Sequence, residues 1–132
     1  KRQIFAVFGQ PDIIIRQTAD HENEWQVEFR GVDIFDPIEN TVRSATADQV
    51  PAWFLDSDFD GRCFCATQAF FPDRGAWEAL SAALRSRPGE DLFEAFSGTV
   101  SQPFPAGEHR RVAVKVIDPG GNEFMVVRWL PR

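Results

Sequence analysis

The sequence predicts an α+β domain made mainly of antiparallel strands, either a sandwich or a curved sheet, with a two-helix insertion packed on one side. Two observations lead to this prediction. About seven or eight short segments have strand-like patterns, and tight turns join most of them, which favours antiparallel pairing. Residues 73–97 instead place apolar side chains at helical spacing. We expect the 132 residues to form one domain, excised from a longer protein.

The first half of the chain reads as strands separated by turns. The predicted strands lie at residues 4–8, 12–17, 25–30, 32–35 and 41–43. Gly-Gln-Pro at 9–11 predicts a turn between the first two. Gly31 interrupts an alternating apolar and polar pattern, which predicts a bulge. Residues 36–40 predict a second turn, in which Asn40 tolerates a left-handed backbone.

The second half contains the predicted helices and two further hairpins. The predicted elements are strands at 50–56 and 62–71, a helix after Asp73, a helix at 91–97, and strands at 111–117 and 123–130. Asp73 follows a proline and suits the N-cap of the first helix, which Pro88 and Gly89 end. The five-residue loop 118–122 is Gly-rich, as expected of a hairpin connection.

Composition excludes several classes of protein. Hydrophobic residues make up 43% and charged residues 26%, which is typical of a globular domain and not of a disordered one. No apolar run approaches the roughly 20 residues of a membrane helix. Thirteen Phe and four Trp without any Tyr predict an aromatic-rich core. Cys63 and Cys65 are interpreted as two small buried thiols in a reducing cytoplasm.

Charge is distributed unevenly along the chain, with a total of −6. Residues 20–60 hold eleven acids and two arginines, whereas residues 109–132 hold five basic residues and two acids. An acidic domain is repelled by a phosphate backbone. The basic C-terminal strands still allow a DNA contact, and its candidate residues are Arg110, Arg111, Lys115 and Arg128.

The acidic sequence DSDFDG at 56–61 has two interpretations. Its three aspartates and glycine match the start of a calcium loop, in which several oxygen ligands surround one ion. The candidate ligands are Asp56, Asp58 and Asp60. The ninth and twelfth positions of such a loop are Phe64 and Thr67, however, and the flanking segments are strands. The alternative, an acidic hairpin turn, is therefore favoured.

No catalytic constellation is visible in the sequence. The histidines, His21 and His109, each stand beside charged residues in predicted loops, without an obvious nucleophile nearby. Glycine-rich patterns that cradle phosphates are absent as well. The sequence therefore predicts no catalytic residue.

Three segments resemble the C-terminal part of bacterial adenine-specific DNA methyltransferases, the methylase subunits of type III-like restriction-modification systems. These segments are WFLDSDFDGRCFCATQAFFPD at 53–73, RVAVKVIDPGGNEFMVVRWL at 111–130 and FRGVDIFDPIENTVRSA at 29–45. The similarity spans roughly residues 4–130. It implies a parent enzyme that transfers a methyl group from S-adenosylmethionine to adenine.

The motifs that carry this chemistry in the family are not found in the chain. The D-P-P-Y-type motif has its nearest counterparts at residues 36–38 and 118–120, which lack the second proline and the stacking aromatic. The resemblance therefore implies a C-terminal accessory domain with no cofactor of its own. S-adenosylmethionine would belong to the parent protein.

Two functions follow for such a domain. One is assembly, by docking the methylase domain of the same chain, a second copy, or a restriction or helicase subunit. The other is DNA contact through the basic strands, since Arg111 and Lys115 are expected on one face of their strand. A calcium-binding β-module is a third alternative.

Overall fold

Two antiparallel β-sheets account for most of the computed structural model, which describes residues 8–19, 23–83 and 97–131. Sheet A consists of β1 (Phe8–Gln17), β2 (Glu24–Asp36), β3 (Thr41–Thr46) and β6 (Phe104–Pro105). Sheet B has the order β5 (Gln68–Phe70), β4 (Ala52–Asp56), β7 (Arg111–Ile117) and β8 (Glu123–Trp129). The prediction of a mainly antiparallel β domain is confirmed.

Strand β1 corrects the first predicted turn. Residues 9–11 lie inside the strand and pair with residues 32–34 of β2. The predicted turn was wrong because β1 is at the edge of sheet A. At an edge, proline can lie within a strand, since its missing N–H does not break the hydrogen bonds between two central strands. Most of the strand predicted at 4–8 lies outside the described residues.

The bulge predicted at Gly31 is confirmed. Asp12 pairs with Gly31 and Ile13 pairs with Phe29, which leaves Arg30 as the extra residue on β2. Gly31 has φ +147°, and a Cβ there would lie 2.5 Å from the carbonyl oxygen of Ala45 on β3. Glycine therefore lets β3 approach the bulged backbone closely.

The predicted hairpins differ in how much strand they contain. Residues 123–129 pair with residues 111–117, as expected, and the buried carboxylate of Asp118 accepts the N–H of Asn122 at 2.7 Å in the connecting loop. Strand β5, in contrast, covers only residues 68–70. The strand predicted at 62–67 was wrong, because residues 57–67 form a long loop whose aromatic side chains pack against β7.

Helix α1 (Arg74–Ala83) begins where the sequence predicts. The carboxylate of Asp73 accepts the N–H of Gly75 at 2.9 Å, so it caps the helix. Trp77 packs against Phe71, with 5.4 Å between ring centroids. The predicted end of this helix and most of the second helix lie outside the described residues.

One hydrophobic cluster joins the two sheets. Phe29 of sheet A contacts Trp53 of sheet B at 5.5 Å between centroids, and Trp53 stacks on Phe70 at 4.3 Å. Trp53 is fully buried, and its indole N–H donates to the carbonyl of Gly98 at 3.2 Å. Aromatic rings thus form the contact between the sheets, in agreement with the composition.

Candidate functional site

The outer face of sheet B is the face directed away from the cluster. On β7, Val112, Val114 and Val116 are fully buried in that cluster, so Arg111 and Lys115 project from the outer face. The sequence prediction that these two cations share a face is confirmed.

The loop of residues 57–67 folds over this outer face. The backbone N–H of Phe59 donates to the carbonyl of Arg111 at 2.8 Å. Backbone hydrogen bonding to β7 therefore continues past the last residue of β4. Phe59 is buried, and Ala113 beneath the loop has no exposed surface. The loop is therefore a packed layer on the sheet.

The three aspartates of this loop hold different parts of its backbone. Asp56 is buried and accepts the N–H groups of Asp58 at 3.1 Å and Cys65 at 2.8 Å. Asp60 accepts those of Arg62 at 2.7 Å and Cys63 at 3.0 Å. These N–H groups, with that of Cys63 the larger cause, hold the pKa of Asp60 below its ordinary value.

Asp58 faces the segment that leads into β7. Its carboxylate accepts the backbone N–H of His109 at 2.9 Å and lies 3.1 Å from the Nδ1 atom of the same residue. The backbone N–H is the largest cause of a lowered pKa for Asp58, and the imidazole adds to it. Both residues lie in segments predicted as loops, and no pattern in the sequence indicates that they pair.

The aspartates are therefore organisers of the loop in this structure. Within the described ranges, no group of three or more histidine, cysteine, aspartate or glutamate side chains is arranged to hold a metal ion. The calcium interpretation of residues 56–61 remains a prediction that a titration must test.

Arg111 is the most constrained cation on the outer face. Its guanidinium carbon lies 4.6 Å from the ring centroid of Trp129 and 5.7 Å from that of Phe59. Its Nε donates to the carbonyl of Phe59 at 3.2 Å. Gly61 leaves room for the guanidinium, because a Cβ there would lie 2.7 Å from one of its nitrogens. Arg111 thus fastens the loop to the sheet.

Lys115 also has partners within the chain. Its ammonium lies 4.7 Å from the ring centroid of Phe64 and 3.3 Å from the carboxylate of Glu123. A phosphate that contacts Lys115 would compete with this ion pair.

The two other DNA-contact candidates lie elsewhere. Arg128 pairs with Val112, which places it on the opposite side of the sheet from Arg111, and it donates to the carbonyl of Val127 at 3.1 Å. Arg110 adopts φ +50° and donates to the carbonyl of Pro131 at 2.8 Å. The four predicted cations do not form one patch.

The cysteines correct an expectation from the sequence. Cys63 and Cys65 are free thiols, and both are exposed. They were expected in a strand with a buried face, but the segment belongs to the loop, whose outer surface contacts water. His109 is exposed, as expected, and His21 lies outside the described residues.

An apolar strip on sheet A was missed by the sequence analysis. Phe8 pairs with Phe35, and Phe35 pairs with Val42, so the three side chains lie side by side across β1, β2 and β3. Phe8 is 63% exposed, Phe35 37% and Val42 67%. Continuing the alternation beyond the bulge at Gly31 would have placed Phe35 on the wet face. We call these three residues the apolar strip.

Comparisons with models of protein families, with curated proteins and with solved structures found no significant match to this chain. The resemblance to DNA methyltransferases therefore stays a prediction. In the described part of the chain, no helix has the length and apolarity needed to cross a membrane.

Proposed function

We propose that this chain is a non-catalytic accessory domain of a cytoplasmic adenine-specific DNA methyltransferase and that it docks the methylase domain of the same protein. The docking role rests on the apolar strip. Three large apolar side chains from three adjacent strands are exposed together, and contiguous exposed apolar surface marks interaction sites in soluble proteins.

The surroundings of the strip suit a protein partner. Ile38, in the turn between β2 and β3, is 58% exposed and extends the apolar surface along the chain. The next row across β2 and β3 is polar, with the Ser44 hydroxyl donating to Asp33 at 2.6 Å. An apolar centre beside a polar rim is the usual anatomy of a protein interface.

The state of the cations favours docking over DNA contact as the main function. Arg111 is stacked between two aromatic rings, and Lys115 is paired with Glu123. Both contacts would have to be exchanged for phosphate contacts, whereas the apolar strip needs no rearrangement to accept a partner.

We test docking with the Val42→Asp substitution, which places a charge in the strip. The purified 132-residue chain is titrated against the remainder of its full-length protein, and the dissociation constant is measured by calorimetry. We expect Val42→Asp to weaken binding at least tenfold, which corresponds to about 1.4 kcal/mol. Met125→Asp is the control, because it places the same charge at another exposed apolar position, on β8 (46% exposed against 67% for Val42), and it should bind within about twofold of the wild type.

Two results would contradict the proposal separately. Equal binding by the Val42→Asp and wild-type chains would exclude the apolar strip as the interface. A full-length protein that transfers no methyl group from S-adenosylmethionine to adenine in unmethylated DNA would exclude the parent activity, whatever the docking result.

A DNA-contacting domain is the second candidate, because Arg111 and Lys115 share a face with Trp129, which is 66% exposed. An exposed indole beside cations is a surface on which an unpaired base can stack. A gel-shift series with single-stranded DNA distinguishes this candidate. Affinity that falls steeply with salt and is lost in Trp129→Ala would support it, whereas no shift at about 50 mM salt would exclude it.

For the architecture of the module, we propose that the sheets form the two layers of a β-sandwich with a pair of helices against one side. The single buried cluster and the contact between Phe29 and Trp53 support the layered arrangement. The packing of Trp77 on Phe71 supports the helical side.

A further inference from the structure

The loop segment 62–66 presents two thiols with a defined spacing in sequence. Cys63 and Cys65 are exposed and free, and the residue between them, Phe64, is half-buried with its ring against the ammonium of Lys115. Residues 63–66 have neither helical nor turn structure. In an extended segment, residues i and i+2 project to the same side, opposite to residue i+1. Phe64 contacts Lys115 of the sheet and both cysteines are exposed, which is the alternation expected of an extended segment with its two thiols on the solvent side.

Hydrogen bonds hold the backbone on both sides of this pair. The N–H of Cys63 donates to Asp60 at 3.0 Å, and that of Cys65 donates to the buried Asp56 at 2.8 Å. Each cysteine is therefore anchored to a different carboxylate of the same loop. These hydrogen bonds restrain the backbone of both cysteines before any ligand binds, which lowers the entropy cost of binding.

The spacing favours a bridging ion over a direct bond between the sulfurs. Two extended residues span roughly 6.6 Å, whereas a disulfide needs its Cβ atoms about 3.8 Å apart. With thiolate–metal bonds of about 2.3 Å each, two sulfurs in line with an ion lie about 4.6 Å apart. Rotation about the two Cα–Cβ bonds moves each sulfur while the backbone stays in place, and this is the motion by which the two thiolates would approach one ion.

The number and softness of the donors select the ion. A structural zinc site needs four ligands, and no third metal-binding side chain joins the cysteines in the described part of the chain. Soft thiolates favour copper(I). We propose that Cys63 and Cys65 form a two-thiolate binding site for one copper(I) ion.

Binding is written as one copper(I) ion replacing two thiol protons, which gives a bis-thiolate complex of charge −1 and two protons released to solvent. No electron is transferred in this step. The ammonium of Lys115, on the other side of Phe64, places a positive charge behind the anionic complex. Because protons are released, the apparent affinity falls as the pH is lowered.

The test is an anaerobic titration of the 132-residue chain with copper(I) alone, in competition with a chromogenic copper(I) chelator. We expect one equivalent to bind, with thiolate-to-copper absorption in the ultraviolet and two sulfur neighbours in X-ray absorption. Cys63→Ser and Cys65→Ser should each lower the affinity more than about tenfold. Both thiols are exposed, so the circular dichroism spectra of the variants should match the wild type.

His109→Asn is the matched control, because His109 is the other soft-metal ligand that contacts this loop. Its affinity should stay within about twofold of the wild type. The proposal is overturned if the serine variants bind as tightly as the wild type or if His109→Asn loses the ion. Binding of half an equivalent of copper(I) per chain with formation of a dimer would overturn it too, since one ion would then bridge two chains. The proposal is also overturned if the chain cannot take copper(I) from the chelator.

Discussion

The carboxylate of Asp58 holds His109 at two points, the backbone N–H at 2.9 Å and the imidazole Nδ1 at 3.1 Å, across 51 positions of sequence. Gly107 lies against the same carboxylate, where a Cβ would overlap it. The contact ties the loop over sheet B to the segment that enters β7.

Because of this contact, we expect the free energy of unfolding to depend on pH in the acid range. Chiefly because His109 donates its backbone N–H, the pKa of Asp58 in the folded chain lies below the ordinary value of 3.8. A carboxylate with a lowered folded pKa stabilises the fold above its unfolded pKa, and this stabilisation is lost as the pH falls through the folded pKa. Asp58→Asn should therefore make the free energy of unfolding less dependent on pH below 3.8.

The expected size of this effect is small. The side chain of Asp58 is 38% exposed, so solvent screening limits the loss in Asp58→Asn at pH 6 to less than about 1 kcal/mol. Urea denaturation at several pH values measures it. Asp60 shifts in the same direction, so some acid dependence should remain in the variant. If the pH dependence of the unfolding free energy in the acid range is the same in Asp58→Asn and in the wild type, the contact between Asp58 and His109 contributes nothing to stability.

Arg111→Lys tests how the loop is fastened. The substitution keeps the charge but removes the planar guanidinium that stacks on Trp129 and donates to the carbonyl of Phe59. We expect the free energy of unfolding to fall by about 1–2 kcal/mol in urea denaturation. Arg128→Lys, at an exposed position on β8, should change it by less than about 0.5 kcal/mol. Equal effects in the two variants would refute the fastening role.

Gly31→Ala tests the bulge. The new Cβ would meet the backbone of Ala45 at 2.5 Å, and the backbone of β3 has no side-chain rotamer with which to yield. We expect a loss of more than about 2 kcal/mol in unfolding free energy. Gly121→Ala is the control for φ alone, because Gly121 has φ +85° with no atom within 4 Å of an added Cβ. It should cost about 1–2 kcal/mol, and an equal or larger loss there would refute the steric argument.

Phe29→Ala and Phe35→Ala compare the two faces of β2. Phe29 is 1% exposed and contacts Trp53, so its truncation should cost about 3–5 kcal/mol. Phe35 belongs to the apolar strip, and its truncation should cost less than about 1 kcal/mol while weakening docking. Thermal unfolding measures the first difference and calorimetric binding the second. A large loss of stability in Phe35→Ala would instead assign Phe35 to the core.

The elements predicted correctly are those whose structure is determined by a short stretch of neighbouring residues. Alternation beginning at Trp25 identified β2, Gly31 identified its bulge, and the glycine-rich loop 118–122 identified the β7–β8 hairpin. The turn at 36–40 was predicted with an Asn40 that tolerates a left-handed backbone, and Asn40 has φ 54°. In each case a short window of sequence contains the physical cause.

The wrong predictions concern segments whose structure is determined by tertiary contacts. Pro11 looks like a turn residue until β1 is known to be an edge strand. Residues 62–67 have apolar side chains at strand-like spacing, but the segment is a loop in which Phe64 contacts Lys115 of β7, a strand that follows much later in the chain. The stacking of Arg111 and the pairing of Asp58 with His109 likewise require knowing which segments meet.

The topology of sheet B has a consequence for synthesis on the ribosome. Strands β1, β2 and β3 are consecutive and can pair as soon as residue 46 has emerged. Strand β4 receives its long partner only after residues 111–117 have been made. Until then, the core cluster that contains Trp25, Val27 and Phe29 lacks the three valines of β7, Val112, Val114 and Val116. The nascent chain thus carries an incomplete core during this interval, with apolar surface that a chaperone can bind.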